Sequence, residues 1–431
     1  MRLPTSLRTR PGRFTENVAR TLVAQGIYLV LSLVTYAILV RRLGASGKGM
    51  MDLAMLVPRI LGLVLSLGIG VANIYFIGTR RYALARLASN SISLALLTGG
   101  AGLALIAVFL ATDLPARLLP GVPAWLIALA ALGLPIVITT TYFNGILQGL
   151  YRIATLNLLL VFQGIATLVL TLLLVSWLDL GLPGAVAASL SGLAVPVIAA
   201  AVVLRRLEVS LRPRWDAEVS RQTVSFGMRS HVGNVMQSLN YRLDSFLVNG
   251  FCGPAQVGIY GVAVRLAEML WYLPDAVSFV ILPKAARTDP GEMNRFTPRA
   301  FRITLAVTAV AALGLLLVGR PLIAWIFSEE FSPAYRPMIA LLPGVVLLGG
   351  SKVLSNEMAG RGYPHYFSWI CGIALFFTVV FDLALIPQHG ILGAAIASSV
   401  AYTAGFISAV ALFLRVRRHS PRIKRDEQQP R

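Results

Sequence analysis

The chain has 431 residues, 57% of them hydrophobic and only 13% charged, with a mean hydropathy of +0.75 and a formal net charge of +20. Soluble domains carry roughly 25% charged residues, so this composition excludes a soluble enzyme and points to an all-α polytopic membrane protein. The positive charge sits mainly in short loops between apolar runs, where it sets membrane orientation, and no interleaving of stacking aromatics with basic residues suggests a nucleic-acid partner.

A membrane-spanning helix needs roughly 20 apolar residues. In chain order such runs lie near residues 18–40, 50–78, 88–111, 123–150, 153–177, 183–204, 224–251, 255–282, 300–318, 337–360, 363–385 and 390–414. They predict twelve transmembrane helices, with both termini on one side. The first run exceeds the roughly 7–15-residue core of a signal peptide and lacks a small-residue cleavage site, so it reads as a retained span. With the N-terminus inside, the cytoplasmic segments hold 27 of the Lys and Arg residues and the outer loops six. That asymmetry places both termini in the cytoplasm. Residues 1–17 and 415–431 are then cytoplasmic ends, and the longer loops 205–223 and 283–299 are basic and cytoplasmic. The two cysteines, Cys252 and Cys371, fall in different runs, so neither a disulfide framework nor a metal site is expected.

The spacing of small residues repeats. Gly44, Gly49 and Ala54 match Gly253, Gly258 and Ala263 at a shift of 209, and "GAVAAS" from Gly184 matches "GAAIAS" from Gly393 at the same shift. "PAW" from Pro123 matches "PAY" from Pro333 at 210. Two related six-helix bundles follow, residues 18–204 and 224–414, joined by the linker 205–223. Because six is even, their pseudo-symmetry axis runs along the membrane normal, and a cavity between such halves is the usual place for a transporter's substrate.

Helical periodicity puts the polar residues of several spans on single faces. The first span carries Thr21, Gln25, Tyr28, Ser32 and Thr35 on one stripe, and the second carries Asp52, Arg59, Ser66 and Asn73. The fourth has Thr141, Asn144, Gln148 and Tyr151; the seventh, Asn234, Gln237, Tyr241 and Asp244; the eighth, Arg265, Glu268, Tyr272 and Asp275. A charge at the bilayer centre costs at least about 2.5–3.5 kcal/mol, so such stripes are expected to share a hydrated cavity rather than face lipid. The shift of 209 maps Arg59 onto Glu268.

Plainer readings stand beside this one. Arg265 and Glu268, three residues apart, can neutralise each other on one helix. Arg20 near the cytoplasmic boundary, and Lys352 in the inner part of the tenth span, can snorkel to headgroups. Arg59 and Arg265 lie about nine residues inside their spans, roughly 13 Å at 1.5 Å per residue, too deep for easy escape. Arg242 and Asp244 point about 200° apart, so each needs another partner or water. Asp52 is close to the outer boundary. Trp125, Trp177, Trp271 and Trp325 read as belt or packing residues, and Gly145 with Gly149 as a close-packing helix face. No Walker loop, HExxH or GxSxG motif is present, so neither an enzyme nor a cofactor is expected.

The stretch "SHVGNVMQSLNYRLDSFLVNGFCGPAQVGIYGVAVRLAEMLWYLPDAVSFVILPKAAR" resembles polysaccharide-biosynthesis flippases of the Wzx type, in the superfamily that also holds MATE exporters and lipid II flippases. The matching features are the aspartate in span seven, "VGIYGVA" at the start of span eight and the Leu282-Pro283 exit. "LGASGKGMMDLA", "IFSEEFSPAYRPMIALLPG", "GLPGAVAAS" and "GILGAAIAS" extend the likeness over most of the chain. The resemblance implies a MATE-like fold in the bacterial cytoplasmic (inner) membrane. It implies translocation of an undecaprenyl-diphosphate-linked oligosaccharide by alternating access, with a cationic cavity for the diphosphate and glycan. Arg59 and Arg265 fall in spans that carry cavity arginines in the lipid II branch. Twelve spans rather than fourteen favour the Wzx-type branch.

Arginine suits phosphate because its fork binds two oxygens at once. The expected substrate contacts are therefore Arg59 and Arg265, helped by Arg242, Arg20 and Lys352, with Gln25, Tyr28, Asn144, Gln148, Asn234 and Gln237 on the polar faces. Asp244, Glu268, Glu357 and Asp52 are expected to balance those charges or carry a coupling ion. Expected partners are the lipid-linked oligosaccharide, membrane lipids, and polymerase and chain-length proteins. A MATE-like exporter of small molecules and a non-transporting scaffold remain as alternatives; the first calls for an acidic cavity, the second for silent cavity mutations.

Overall fold

The computed structural model describes residues 11–419, and over them the backbone forms helices and no strand. The helices are α1 (Pro11–Leu65), α2 (Ile69–Gly78), α3 (Leu84–Leu110), α4 (Leu114–Leu118), α5 (Ala124–Ala131), α6 (Gly133–Gly149), α7 (Ile153–Thr171), α8 (Gly181–Arg206), α9 (Ala217–Cys252), α10 (Pro254–Glu268), α11 (Tyr272–Arg287), α12 (Pro290–Phe327), α13 (Tyr335–Gly360) and α14 (His365–His419). Parts of the two expected cytoplasmic ends, residues 1–10 and 420–431, lie outside the described residues.

Among the described residues, nine helical stretches are long and apolar enough to cross a membrane. The sequence divides the same length into twelve runs, and the difference has a physical origin. α1 and α14 are 55 residues each, more than twice one crossing, and each is broken at a glycine outside helical geometry: Gly44 (φ 65°) and Gly390 (φ 56°). Each therefore holds two of the apolar runs. α9 holds the run 224–251 but carries too many polar side chains to stand among the nine. Hydropathy thus underrates the helix richest in candidate site residues.

The backbone keeps the period of 209. Gly44 pairs with Gly253 (φ 81°), and Gly181 (φ 54°) with Gly390, at that one separation. Positive φ costs glycine nothing and other residues energy, so these glycines mark where the chain turns from one helix into the next.

The chain forms two compact units. The first holds the described residues up to Gly44, then Ala54–Pro115 and Val122–Arg229; the second holds Ala45–Leu53, Ala116–Gly121 and the chain from Ser230. In the first unit α2 and α6 touch through glycines. A Cβ on Gly145 would stand 2.3 Å from the Gly70 carbonyl oxygen, and one on Gly149 2.9 Å from Ile77. Asn73, on the expected polar stripe of span two, is fully buried in that seam, where its amide donates to Ser91 Oγ (3.0 Å) and the Tyr142 carbonyl (3.4 Å). That end of the stripe is dry and structural. Residues 217–223 of the expected linker are the first turns of α9, which Asp216 caps by accepting from the Val219 amide (3.0 Å). Asn90 of α3 holds the same turn through the Asp216 amide (3.0 Å) and the Ser220 hydroxyl (2.9 Å).

In the second unit, α13 is largely buried against α11, α12 and α14. Gly344 admits Ser399 of α14, whose hydroxyl accepts from the Gly344 amide at 3.1 Å. The segment 45–53 crosses α10 in the same unit. A Cβ on Gly49 would fall 1.7 Å from the Pro254 carbonyl oxygen, and one on Gly258 2.0 Å from the Ala45 carbonyl oxygen. Ala45 and Gly49, advanced by 209, are Pro254 and Gly258, so repeat-related glycines meet each other's chain reciprocally.

Candidate functional site

Two polar clusters stand out in the second unit. The first starts from Arg242 in the middle of α9. Its Nη2 donates to Glu268 Oε2 at the end of α10 (3.1 Å), and Nη1 approaches Oε1 at 3.0 Å. The side chains are 24% and 17% exposed, so this ion pair is mostly dry on its protein side. One turn away along α9, Gln237 donates to the Tyr241 hydroxyl (2.7 Å), and the Tyr241 ring lies against Trp271 (centroids 4.9 Å) and Tyr402 (6.0 Å). Lys352 Nζ from α13 sits 4.4 Å from the Trp271 ring centre and 2.8 Å from Asp275 Oδ1. The Trp271 indole donates to the Val345 carbonyl (3.3 Å), which fixes the ring. The cluster thus gathers two cations, two carboxylates and three aromatic rings, of which Trp271 and Tyr402 are buried. Guanidinium and ammonium suit phosphate oxygens, and flat rings suit apolar sugar faces.

The second cluster is dry. Asp244 is 2% exposed; its Oδ2 accepts from the Tyr260 hydroxyl (2.6 Å) and at 3.5 Å from Ser398, and its Oδ1 accepts from the Ser245 amide (2.7 Å). Asp382 of α14 is fully buried, neither of its carboxylate oxygens accepts a hydrogen bond, and it interacts electrostatically with Asp244. Asn240 and Thr378, hydrogen-bonded to each other, continue the polar seam between α9 and α14. Asp382, a buried carboxylate that accepts no hydrogen bond, is too costly to stand charged and uncompensated. With Asp244 it can hold a proton or a hard monovalent cation. Among the described residues no group of three or more acidic, His or Cys side chains could hold a metal ion.

The structure distributes the expected site residues unevenly. It brings together Arg242 and Glu268, Gln237 and Tyr241, and Lys352 with the Trp271 ring. Asp244 lies at Tyr260, on a different face of α9 from the Arg242–Glu268 contact, as a 200° separation requires. Arg265 lies half-buried on α10, within electrostatic reach of Lys48. Asn234 is exposed on α9. Asp52 pairs with Lys48, and Glu357, fully buried, pairs with Arg361, which also donates to Asn294 (2.9 Å). In the first unit Arg20, Gln25, Arg59 and Gln148 are exposed, and Tyr28 and Asn144 are half-buried. On the same stripe as Gln25, Thr21 accepts from Asn157 of α7 (2.9 Å).

Sequence reasoning missed Asp382, Tyr260, Ser398 and Tyr402. For Asp382 the signal was present: a lone aspartate inside "FFTVVFDLAL". Trp271, read as belt or packing, is the central ring of the cationic cluster.

A family model described as polysaccharide biosynthesis protein matches residues 38–336. The lipid III flippase of Escherichia coli is 26% identical over 234 residues, 53% of this chain and 56% of the flippase. An uncharacterised membrane protein of Methanocaldococcus jannaschii is 23% identical over 67% of this chain and 72% of its own length. A probable flippase of Haloferax volcanii is 26% identical, over 39% of this chain and 37% of that protein. The chain thus spans about half or less of the length of these two flippases. Among solved structures, a lipid II flippase in an inward closed conformation has a TM-score of 0.77 at 15% identity, over 93% of this chain and 90% of that one. An inward-facing multidrug MATE transporter has a TM-score of 0.69 at 19% identity, over 93% and 100%. At these identities the structures establish a shared fold.

Proposed function

The chain belongs to the polysaccharide biosynthesis protein family, and from that premise we propose that it translocates an undecaprenyl-diphosphate-linked oligosaccharide across the bacterial cytoplasmic membrane. Its role is transport, not catalysis, with twelve spans in two six-helix halves and both termini in the cytoplasm. The observation that carries the reading is the cluster around Arg242, Glu268, Lys352, Trp271, Tyr241 and Tyr402. A lipid diphosphate combines an anionic head, sugar rings and an apolar tail. The head and sugars need cations and aromatic faces, and the tail can stay in the bilayer. Arg59, Arg265, Arg20 and the polar residues Gln25, Tyr28, Asn144, Gln148, Asn234 and Gln237 are further substrate contacts in this reading.

Transport without a nucleotide site needs a gradient or a coupled flux. The dry pair Asp244 and Asp382 supports an ion-coupling role: a proton or monovalent cation bound there relieves the buried charge and biases alternating access. Glu268, Glu357 and Asp52 balance neighbouring cations. Membrane lipids surround the protein, and polymerase and chain-length proteins are its expected neighbours in the pathway.

The test is depletion followed by leaflet-specific labelling of the lipid-linked oligosaccharide. Loss of the protein should trap the oligosaccharide on the cytoplasmic leaflet, and wild-type protein should release it. Arg265→Ala present at wild-type level in the membrane should not. Normal outer-leaflet labelling in the depleted cells would refute the proposal; altered drug sensitivity in those cells would favour a small-molecule exporter instead.

A further inference from the structure

A cavity of about 740 Å³ in the first unit shares no lining residue with either cluster. It forms where the end of α2 and the following turn meet the first three turns of α9. Its volume lies within the roughly 300–1,000 Å³ of small-ligand pockets. From α9, Arg221, Gln222, Ser225 and Arg229 line it, and Arg81 faces them from the turn after α2. Steps of one, three and four residues put the α9 groups on one helix face.

The walls are prepared rather than incidental. Tyr75 stacks on Phe226 with centroids 4.3 Å apart and planes 18° apart, and Phe76 packs on Phe226 at 5.6 Å. The Arg81 guanidinium stands 5.7 Å from the Phe76 ring centre. Only one acid, Glu218, lines the cavity, and Arg86 from outside it meets that charge at 3.2 Å. Among the described residues no carboxylate lies within 4.0 Å of Arg81, Arg221 or Arg229. Three guanidinium groups therefore line one cavity that holds a single acid, and that acid shares Arg86 with Asp216. Each fork matches the oxygens of a phosphate ester. Tyr75, 44% exposed at the end of an apolar helix, is the residue type that marks the headgroup level of a bilayer.

We propose that this cavity binds the phosphate or diphosphate headgroup of a lipid in the cytoplasmic leaflet, between the α2 end and α9. The inference needs the chain to sit in a membrane in the proposed orientation; it does not need the chain to transport anything. Two lipids share the chemistry, an anionic bilayer phospholipid and a polyprenyl diphosphate.

The experiment uses the full chain in phosphatidylcholine nanodiscs at about 0.15 M salt, where long-range attraction is screened. One arm titrates farnesyl diphosphate by calorimetry. The other adds phosphatidylglycerol to the nanodisc lipid and counts retained molecules by native mass spectrometry. Arg221→Gln alone should weaken binding in at least one arm by about tenfold, the size of one charge-assisted contact. Arg81→Gln/Arg221→Gln/Arg229→Gln should abolish it. A charge-matched control, Arg205→Gln/Arg206→Gln/Arg214→Gln outside the cavity, should cost less than about twofold. A loss confined to farnesyl diphosphate assigns the polyprenyl headgroup, and one confined to phosphatidylglycerol assigns the bilayer lipid. Binding in neither arm, or equal losses in the cavity and control variants, would overturn the proposal. Arg221 is exposed, so its single variant keeps the test valid should the triple variant misfold.

Discussion

Removing the acid of the Arg242–Glu268 pair tests whether this region is as dry as its geometry requires. At 3.0 Å and an effective dielectric near 20, the attraction between the charges is about 5.5 kcal/mol, an upper bound that desolvation largely offsets. Replacing Glu268 with leucine leaves a guanidinium three-quarters buried without that partner. Breaking such a pair costs about 3–5 kcal/mol. For a body of roughly 200 residues at about 2–4 °C per kcal/mol, the thermal midpoint should fall by about 6–20 °C. Arg242→Leu should fall comparably, and Arg242→Leu/Glu268→Leu should recover most of the loss, because no buried charge is stranded. Fluorescence-detected size-exclusion after heating measures the midpoint, and leaflet-specific labelling measures flipping. The double variant should be stable yet inactive. Single variants with unshifted midpoints would refute the burial argument. A double variant that flips normally would remove the pair from the transport path.

Other outcomes follow from the same geometry. Gly258→Ala should destabilise the protein by about 1–3 kcal/mol, because its Cβ would stand 2.0 Å from the Ala45 carbonyl oxygen; thermal midpoints in detergent check this. Gly314→Ala, inside α12 with nothing within 4 Å, should instead be neutral or stabilise by up to about 1 kcal/mol. Asp382→Asn should leave the midpoint unchanged or raised, since it removes a buried carboxylate, while abolishing the dependence of flipping on a proton or sodium gradient; retained dependence would exclude the Asp244–Asp382 pair as the coupling site. A hydrogen bond from Arg86, with the Val219 amide second, holds the Asp216 carboxyl below its ordinary value. Its anchoring of α9 is therefore fully present above the unfolded carboxyl value near 3.9 and is lost as pH falls through the lower folded value. A spin label at position 212, in a background lacking both cysteines, should keep constant mobility from about pH 8 to pH 5 and loosen only below about pH 4. Asp216→Asn should loosen it at every pH.

How much was legible in the sequence differs between fold and site. The repeat was readable because glycines at 44 and 253 are forced by backbone geometry, which leaves a residue-type signature; the positive φ at both, and at 181 and 390, follows the same period. Close packing at Gly145 and Gly149 was readable for the same reason. The charged residues of α9 were readable as an anomaly, since Arg242 and Asp244 cannot meet on one helix and each had to find a partner elsewhere. The i,i+4 pairs Lys48–Asp52 and Glu357–Arg361 also stood in the sequence, but assigning Lys48 and Arg361 to loops hid them.

By itself the sequence determined the solvent, the helical class and the 209-residue spacing of the turn glycines. These depend on composition and on periods that every residue of a helix shares. Tertiary structure alone decided that Arg242 meets Glu268, that Tyr260 of α10 donates to Asp244 of α9, and that Arg81 faces Arg221 across one cavity. Helical periodicity fixes the direction in which a side chain leaves its own axis. It says nothing about which neighbouring helix stands there, and that choice is made by small residues that let particular helices approach and by the cost of leaving a buried charge alone.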